Sequence, residues 1–215
     1  MGQSTRLAKK QQRALDRLSK VEALRGFYLA GGTALGLRLG HRRSLDLDLF
    51  SVGELVSIDE LRRRLVRECP DAEVVSMTDA ALTVRLEDTE VDIISYRYPP
   101  LEPLESGPGG FPLASLVDLA VMKLAAIARR GIRRDFWDLH EVLRSADGPT
   151  LRQVAEAYRR RFGLEESDLY HVARALTFFG DAEKDPAFPR GLTAQKWGRI
   201  KRFFRAKAPA LLEAP

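Results

Sequence analysis

The chain has 215 residues, with 35 Lys and Arg against 30 Asp and Glu and a formal net charge of +5. That length fits one domain, or one core with an appended lobe, and 45% apolar with 30% charged residues describes a globular chain rather than a disordered one. A single cysteine, Cys69, excludes an internal disulfide and a cysteine-rich zinc cluster.

The net charge conceals a gradient. Residues 1–25 carry seven bases and two acids, and residues 186–215 carry seven bases and one acid. Residues 26–185 hold 21 bases and 27 acids, so two basic ends flank an acidic centre. Basic ends suggest phosphate-bearing partners, and an acidic centre suggests a cation site. No run of about 18 apolar residues is present, so no membrane span is expected. The first residues lack an apolar leader core, which sets the expectation of a cytoplasmic protein.

Residues 5–25 have Leu7, Leu15, Leu18, Val21 and Leu24 near helical spacing. Phe27 to Ala30 predicts a short strand, broken by Gly31-Gly32, and Thr33 to Leu39 predicts a helix stopped by Gly40. Leu45 to Phe50 alternates apolar and acidic residues, the period of a half-buried strand. Ser57 to Glu60 is a capping box opening a helix that ends before Pro70. Residues 72–78, 81–87 and 90–96 are predicted strands, the last two joined by a tight turn at Asp88-Thr89.

Segment 99–114 is rich in proline and glycine and reads as a connection. Beyond it, 115–130, 133–146, 150–162, 165–178 and 193–206 are helical in pattern. The expected organisation is an αβ core over 1–98 and a helical lobe over 115–215, an α+β arrangement.

Chemistry concentrates in three places. Alternation sets Asp46 and Asp48 on one strand face, about 7 Å apart. Two such carboxylates suit a divalent cation such as Mg²⁺, and they also occur on a solvated strand face. Gly31-Gly32-Thr33 follows a strand and opens a helix, where glycines admit a phosphate and the helix N-terminus favours anions. Asp92 is a lone acid within an apolar strand, a costly placement unless it is paired or points outward. His41, His140 and His171 lack metal-ligand spacing. The run Lys196 to Arg205 interleaves bases with aromatics; it fits phosphate contact with base stacking, or a helix burying Trp197, Ile200 and Phe204.

Taken together, the glycine turn, the Asp46-x-Asp48 pair and the later lone Asp92 resemble the polymerase-beta-like nucleotidyltransferase superfamily. More narrowly, Ala30 to Leu35 and Gly40 to Phe50 are similar to the AbiEii toxin family, which includes the MenT toxins. Lys123, Arg130-Gly131 and Arg134-Asp135-x-x-Asp138 match that family's second signature, so the resemblance covers roughly residues 28–140. Many superfamily members carry serine where Gly32 stands here.

The resemblance implies a nucleotidyltransferase-fold mixed β-sheet with flanking helices. It implies that Asp46, Asp48 and Asp92 bind Mg²⁺ or Mn²⁺, with Asp92 acting as general base or second-metal ligand. Gly31, Gly32, Thr33 and Lys123 would hold the nucleoside triphosphate, and Asp138, with Asp135, would complete the site. On the residues alone, Asp135 and Asp138 could instead pair with Arg129, Arg133 or Arg134. The implied partners are a nucleoside triphosphate, an RNA acceptor such as tRNA, and a cognate antitoxin. A catalytically silent binding module and a small-molecule acceptor are the alternatives.

Overall fold

A computed structural model describes residues 7–53, 55–184, 186 and 188–212. Contacts divide the chain into two compact units, Met1–Ser115 and Leu116–Pro215.

The first unit holds helices α1 (Lys9–Leu18), α2 (Gly31–Leu39) and α3 (Ile58–Glu68) and a five-stranded mixed sheet. Its strands are β1 (Phe27–Leu29), β2 (Leu47–Ser51), β3 (Glu73–Met77), β4 (Ala81–Leu86) and β5 (Thr89–Ile94), in the spatial order β1-β2-β5-β4-β3. Only the β2–β5 pair is parallel.

The period of two explains how the sheet is buried. Leu47 and Leu49 of β2, Val91 and Ile93 of β5, and Leu82 and Val84 of β4 are fully buried. Leu15, Leu18 and Leu65 of the helices are equally buried. Each such side chain contributes roughly 1.5–3 kcal/mol when taken out of water. The opposite parity, Asp48, Phe50, Thr83, Asp92 and Ile94, is half-buried, and Arg85 and Glu90 are exposed. Strands β2, β5 and β4 therefore have one closed and one more open face, whereas β1 is buried on both faces and β3 is exposed on both.

Several boundaries differ from the sequence pattern. The first helix ends at Leu18, and Glu22–Leu24 form a separate 3₁₀ turn. The β4–β5 turn is Glu87-Asp88, one residue earlier than expected; both have φ near +50°, the type I′ geometry that matches strand twist. The largest difference is at β2. Leu45 is 72% exposed, and the strand begins only at Leu47. Asp46 therefore sits in the bend ahead of the strand and is exposed, so Asp46 and Asp48 are not alternate residues of one ladder.

The buried Gln11 of α1 helps hold that bend, donating from Nε2 to the carbonyls of Ser44 and Leu45, both at 3.2 Å. Segment 99–114 belongs to the first unit. Leu29 N–H donates to Pro112 O at 2.7 Å, and Ala114 N–H donates to Leu29 O at 3.0 Å. Basic residues of the N-terminal stretch are largely engaged within the unit: Arg13 with Glu87 at 2.9 Å, and Arg17 with Asp71 at 2.5 Å and Glu87 at 3.2 Å.

The second unit is helical: α4 (Leu116–Arg129), α5 (Arg133–Arg144), α6 (Leu151–Phe162), α7 (Leu169–Thr177), α8 (Gly180–Lys184) and α9 (Ala194–Lys207). Gly131 follows α4 at φ +52°, the left-handed stop expected there. Thr150 and Gln153 form a reciprocal capping box at α6. The short α8 has no counterpart in the sequence reading. Of the two readings of the basic–aromatic run, burial supports the packed helix: Trp197, Ile200 and Phe204 point inward. Asp118 and Arg161 form a buried ion pair between α4 and α6.

Candidate active site

β1 ends at Leu29, and the chain turns through Ala30 directly into α2. Gly31 has φ +62°, a conformation that disfavours a side chain. A Cβ built there would overlap Oδ2 of Asp48 and lie 2.5 Å from its Cγ. Glycine is thus required twice, by backbone geometry and by the carboxylate seated against it. This places a negative charge at the N-terminal end of α2, where the helix dipole stabilises it. Ala30 N–H also donates to Asp48 O at 2.9 Å, tying the turn to β2.

Gly32 is crowded from another side: a Cβ there would meet Arg42 Nη2 at 2.7 Å and Ser44 Oγ at 3.0 Å. The buried Thr33 donates from Oγ1 to Asp46 O at 2.5 Å. Its hydroxyl thereby anchors the bend that carries Asp46.

The parallel register sets Asp48 directly opposite Asp92. Neighbouring strands lie about 4.8 Å apart, so the two carboxylates emerge side by side on the open face. Asp92 is held in turn by its partner across β4, with Thr83 Oγ1 donating to Asp92 Oδ1 at 2.6 Å. Among the described residues, no three His, Cys, Asp or Glu side chains form a group that could hold a metal by themselves. The residues nonetheless fit Mg²⁺, which commonly takes one or two carboxylates and completes its shell with water and substrate phosphates. The donors are hard oxygens, and Gly31 leaves room for the Asp48 carboxylate to seat.

In the second unit, Lys123 of α4 meets both acids of the second signature. Its Nζ lies 3.1 Å from Asp135 Oδ1 and 2.9 Å from Asp138 Oδ2. Asp135 also accepts from Arg130 Nε at 3.1 Å. Lys123 and Arg130 are thus among the partners of these two acids. Asp138 is 0% exposed and Asp135 is 1% exposed. Charges this deep persist only when paired, because ionised groups lose several kcal/mol of hydration on burial.

Sequence reasoning assigned no role to Arg42, Ser44 or Thr83. Arg42 and Ser44 stand inside the Gly40 to Phe50 motif and press on the glycine turn. Thr83 carried no local signal, because its relation to Asp92 exists only through strand pairing.

The protein is an α+β nucleotidyltransferase. It belongs to the AbiEii family, described as nucleotidyl transferase AbiEii toxin of type IV toxin–antitoxin systems, which matches residues 13–214. The uncharacterized protein aq_aa25 of Aquifex aeolicus strain VF5 is 30% identical over 209 residues, covering 97% of this chain and 98% of the relative. Among solved structures, the solution structure of the antibiotic-resistance factor ANT(2'')-Ia is 18% identical with a TM-score of 0.39, covering 95% of both chains. The crystal structure of ANT(2'')-Ia with adenylyl-2''-tobramycin is 17% identical with a TM-score of 0.35, covering 90% of this chain and 98% of the other.

Proposed function

We propose that this chain moves a nucleotidyl group from a nucleoside triphosphate to an RNA, with the acceptor end of tRNA foremost, as the toxin of a toxin–antitoxin pair. The observation that carries the reading is the register pair Asp48–Asp92 beside the glycine turn at Gly31.

Of the three expected ligands, Asp48 and Asp92 would hold Mg²⁺ or Mn²⁺ together with triphosphate oxygens, with Asp46 adding its charge from the bend. The ion would supply Lewis-acid stabilisation of the attacking and leaving oxygens. The backbone N–H groups of Gly31 and Gly32 and the first turn at Thr33 bind triphosphate oxygens. An acceptor hydroxyl attacks the α-phosphorus; a new O–P bond forms, and the bond to pyrophosphate breaks. Asp92 takes the hydroxyl proton at Oδ2, while Thr83 keeps its other oxygen fixed. Lys123, which Asp135 and Asp138 orient within the second unit, would contact triphosphate oxygens as the family resemblance implies. A cytoplasmic location and a cognate antitoxin belong to the same proposal. Among the described residues, no helix is long and apolar enough to cross a membrane.

The deciding experiment incubates labelled ATP, GTP, CTP and UTP with total RNA, comparing wild type with Asp48→Ala. A labelled band of tRNA size with the wild type alone is the expected result. No labelled RNA with any of the four overturns the acceptor assignment.

A further inference from the structure

The open sheet face does not end at the carboxylates. Phe50 lies two residues beyond Asp48 on β2 and shares its face, with Ile94 of β5 as its register partner. Tyr96 and Tyr98 continue the parity of Asp92 and Ile94 past the end of β5. The rings form a row: Tyr28 to Phe50 at 5.9 Å, Phe50 to Tyr96 at 5.3 Å and 84°, and Tyr96 to Tyr98 at 5.4 Å and 63°. Arg97 sets its guanidinium 5.1 Å from the Tyr98 ring centre. Tyr28 is fully buried and anchors the row, whereas Phe50, Tyr96 and Tyr98 are only half-buried.

We propose that Phe50, Tyr96 and Tyr98 form a ledge on which an unpaired nucleobase stacks beside the Asp48–Asp92 pair. The proposal rests on the nucleotidyl-transfer reading of that pair. Three observations support it. The row follows the carboxyl ends of the two parallel strands, where ligands bind in open sheets of this kind. Strand rise puts Phe50 about 7 Å along from Asp48, on the scale of one nucleoside. The edge-to-face contacts hold the rings upright, and aromatic rings with a cation at the end of the row are the usual means of receiving unpaired bases.

The base could come from the incoming triphosphate or from the acceptor strand, and the test separates them. Full-length protein is titrated with 2-aminopurine riboside triphosphate, with a short single-stranded RNA ending in 2-aminopurine, and with inorganic tripolyphosphate. The variants are Phe50→Leu, Tyr96→Leu and Tyr98→Leu, with Phe50→Tyr as the ring-keeping control. We expect the wild type to quench the fluorescence of at least one base-bearing probe. The leucine variants should lose the quenching and bind that probe about tenfold more weakly, the effect of losing one base–aromatic stack. Tripolyphosphate binding should stay within twofold, and Phe50→Tyr should behave as wild type. An effect confined to the triphosphate assigns the ledge to the donor base; an effect on the RNA assigns it to the acceptor.

Unchanged quenching in all three leucine variants overturns the ledge, as does parallel weakening of tripolyphosphate. Absence of base-probe binding to the wild type also overturns it, whatever the transfer assay gives. Stacking that is present while no label is ever transferred sinks the nucleotidyl-transfer reading and leaves the ledge standing.

Discussion

The carboxylate of Asp48 rests on the backbone of Gly31, with no space for a Cβ between them. A methyl group at Gly31 must displace the carboxylate and also strain a backbone at φ +62°. Gly31→Ala is therefore expected to lower transfer activity by at least a hundredfold and to cost about 1–3 kcal/mol of stability. Initial rates beside a denaturant titration check this; near wild-type activity in a folded Gly31→Ala protein contradicts it.

Thr83 orients Asp92 from the neighbouring strand. Thr83→Val keeps the shape and removes the donor, so transfer should fall roughly tenfold or more while stability changes by about 1 kcal/mol. Thr83→Ser restores the hydroxyl and should recover most of the rate. Equal rates for Val and Ser would show that Asp92 does not need this partner.

Lys123 neutralises two buried acids at once. Lys123→Ala removes a cation from two buried acids while Arg130 still faces Asp135, and it should destabilise the second unit by about 3–5 kcal/mol. Lys123→Met combined with Asp138→Leu removes one charge of each sign and should regain part of that loss. Chemical denaturation of the single and double variants measures the difference.

Glu141 gives the helical unit a pH dependence. Burial pushes its carboxyl up, but hydrogen bonds and charge from His140 and Lys196 outweigh burial and hold it at about 2. Trp137 Nε1 also donates to Glu141 Oε1, at 3.1 Å. The folded-state value lies below the unfolded one, so the stabilisation is present above about pH 4.5 and is lost as pH falls toward about 2. The stability gap between wild type and Glu141→Gln should be constant near neutrality and close over that acid interval. A gap that stays unchanged down to pH 2 contradicts the assignment.

Local chemistry made much of this protein legible in its sequence. Gly40 and Gly131 stop their helices, Thr150 caps its helix, and the alternation of β4 and β5 sorts the core from the open face. The start of β2 was misread because Leu45 continues the apolar–acidic alternation without entering the sheet. Gln11, far away in sequence, holds the carbonyls of Ser44 and Leu45 in a bend instead. The partners of Asp92 and Asp135 were invisible for a related reason. Thr83 reaches Asp92 through sheet register, and Lys123 reaches Asp135 through helix packing. The aromatic row was readable in principle, since Phe50 shares parity with Asp48 and Tyr96 with Asp92.

Asp48 and Asp92 stand on adjacent strands, yet α3, β3 and β4 all lie between them along the chain. A growing polypeptide that has emerged only through β2 has the glycine turn and two acids but no opposing carboxylate. The pair is complete only once β5, the last strand of the sheet along the chain, lies between β2 and β4. For a protein proposed to modify RNA, the facing carboxylates therefore exist only after every strand of the sheet has been synthesised.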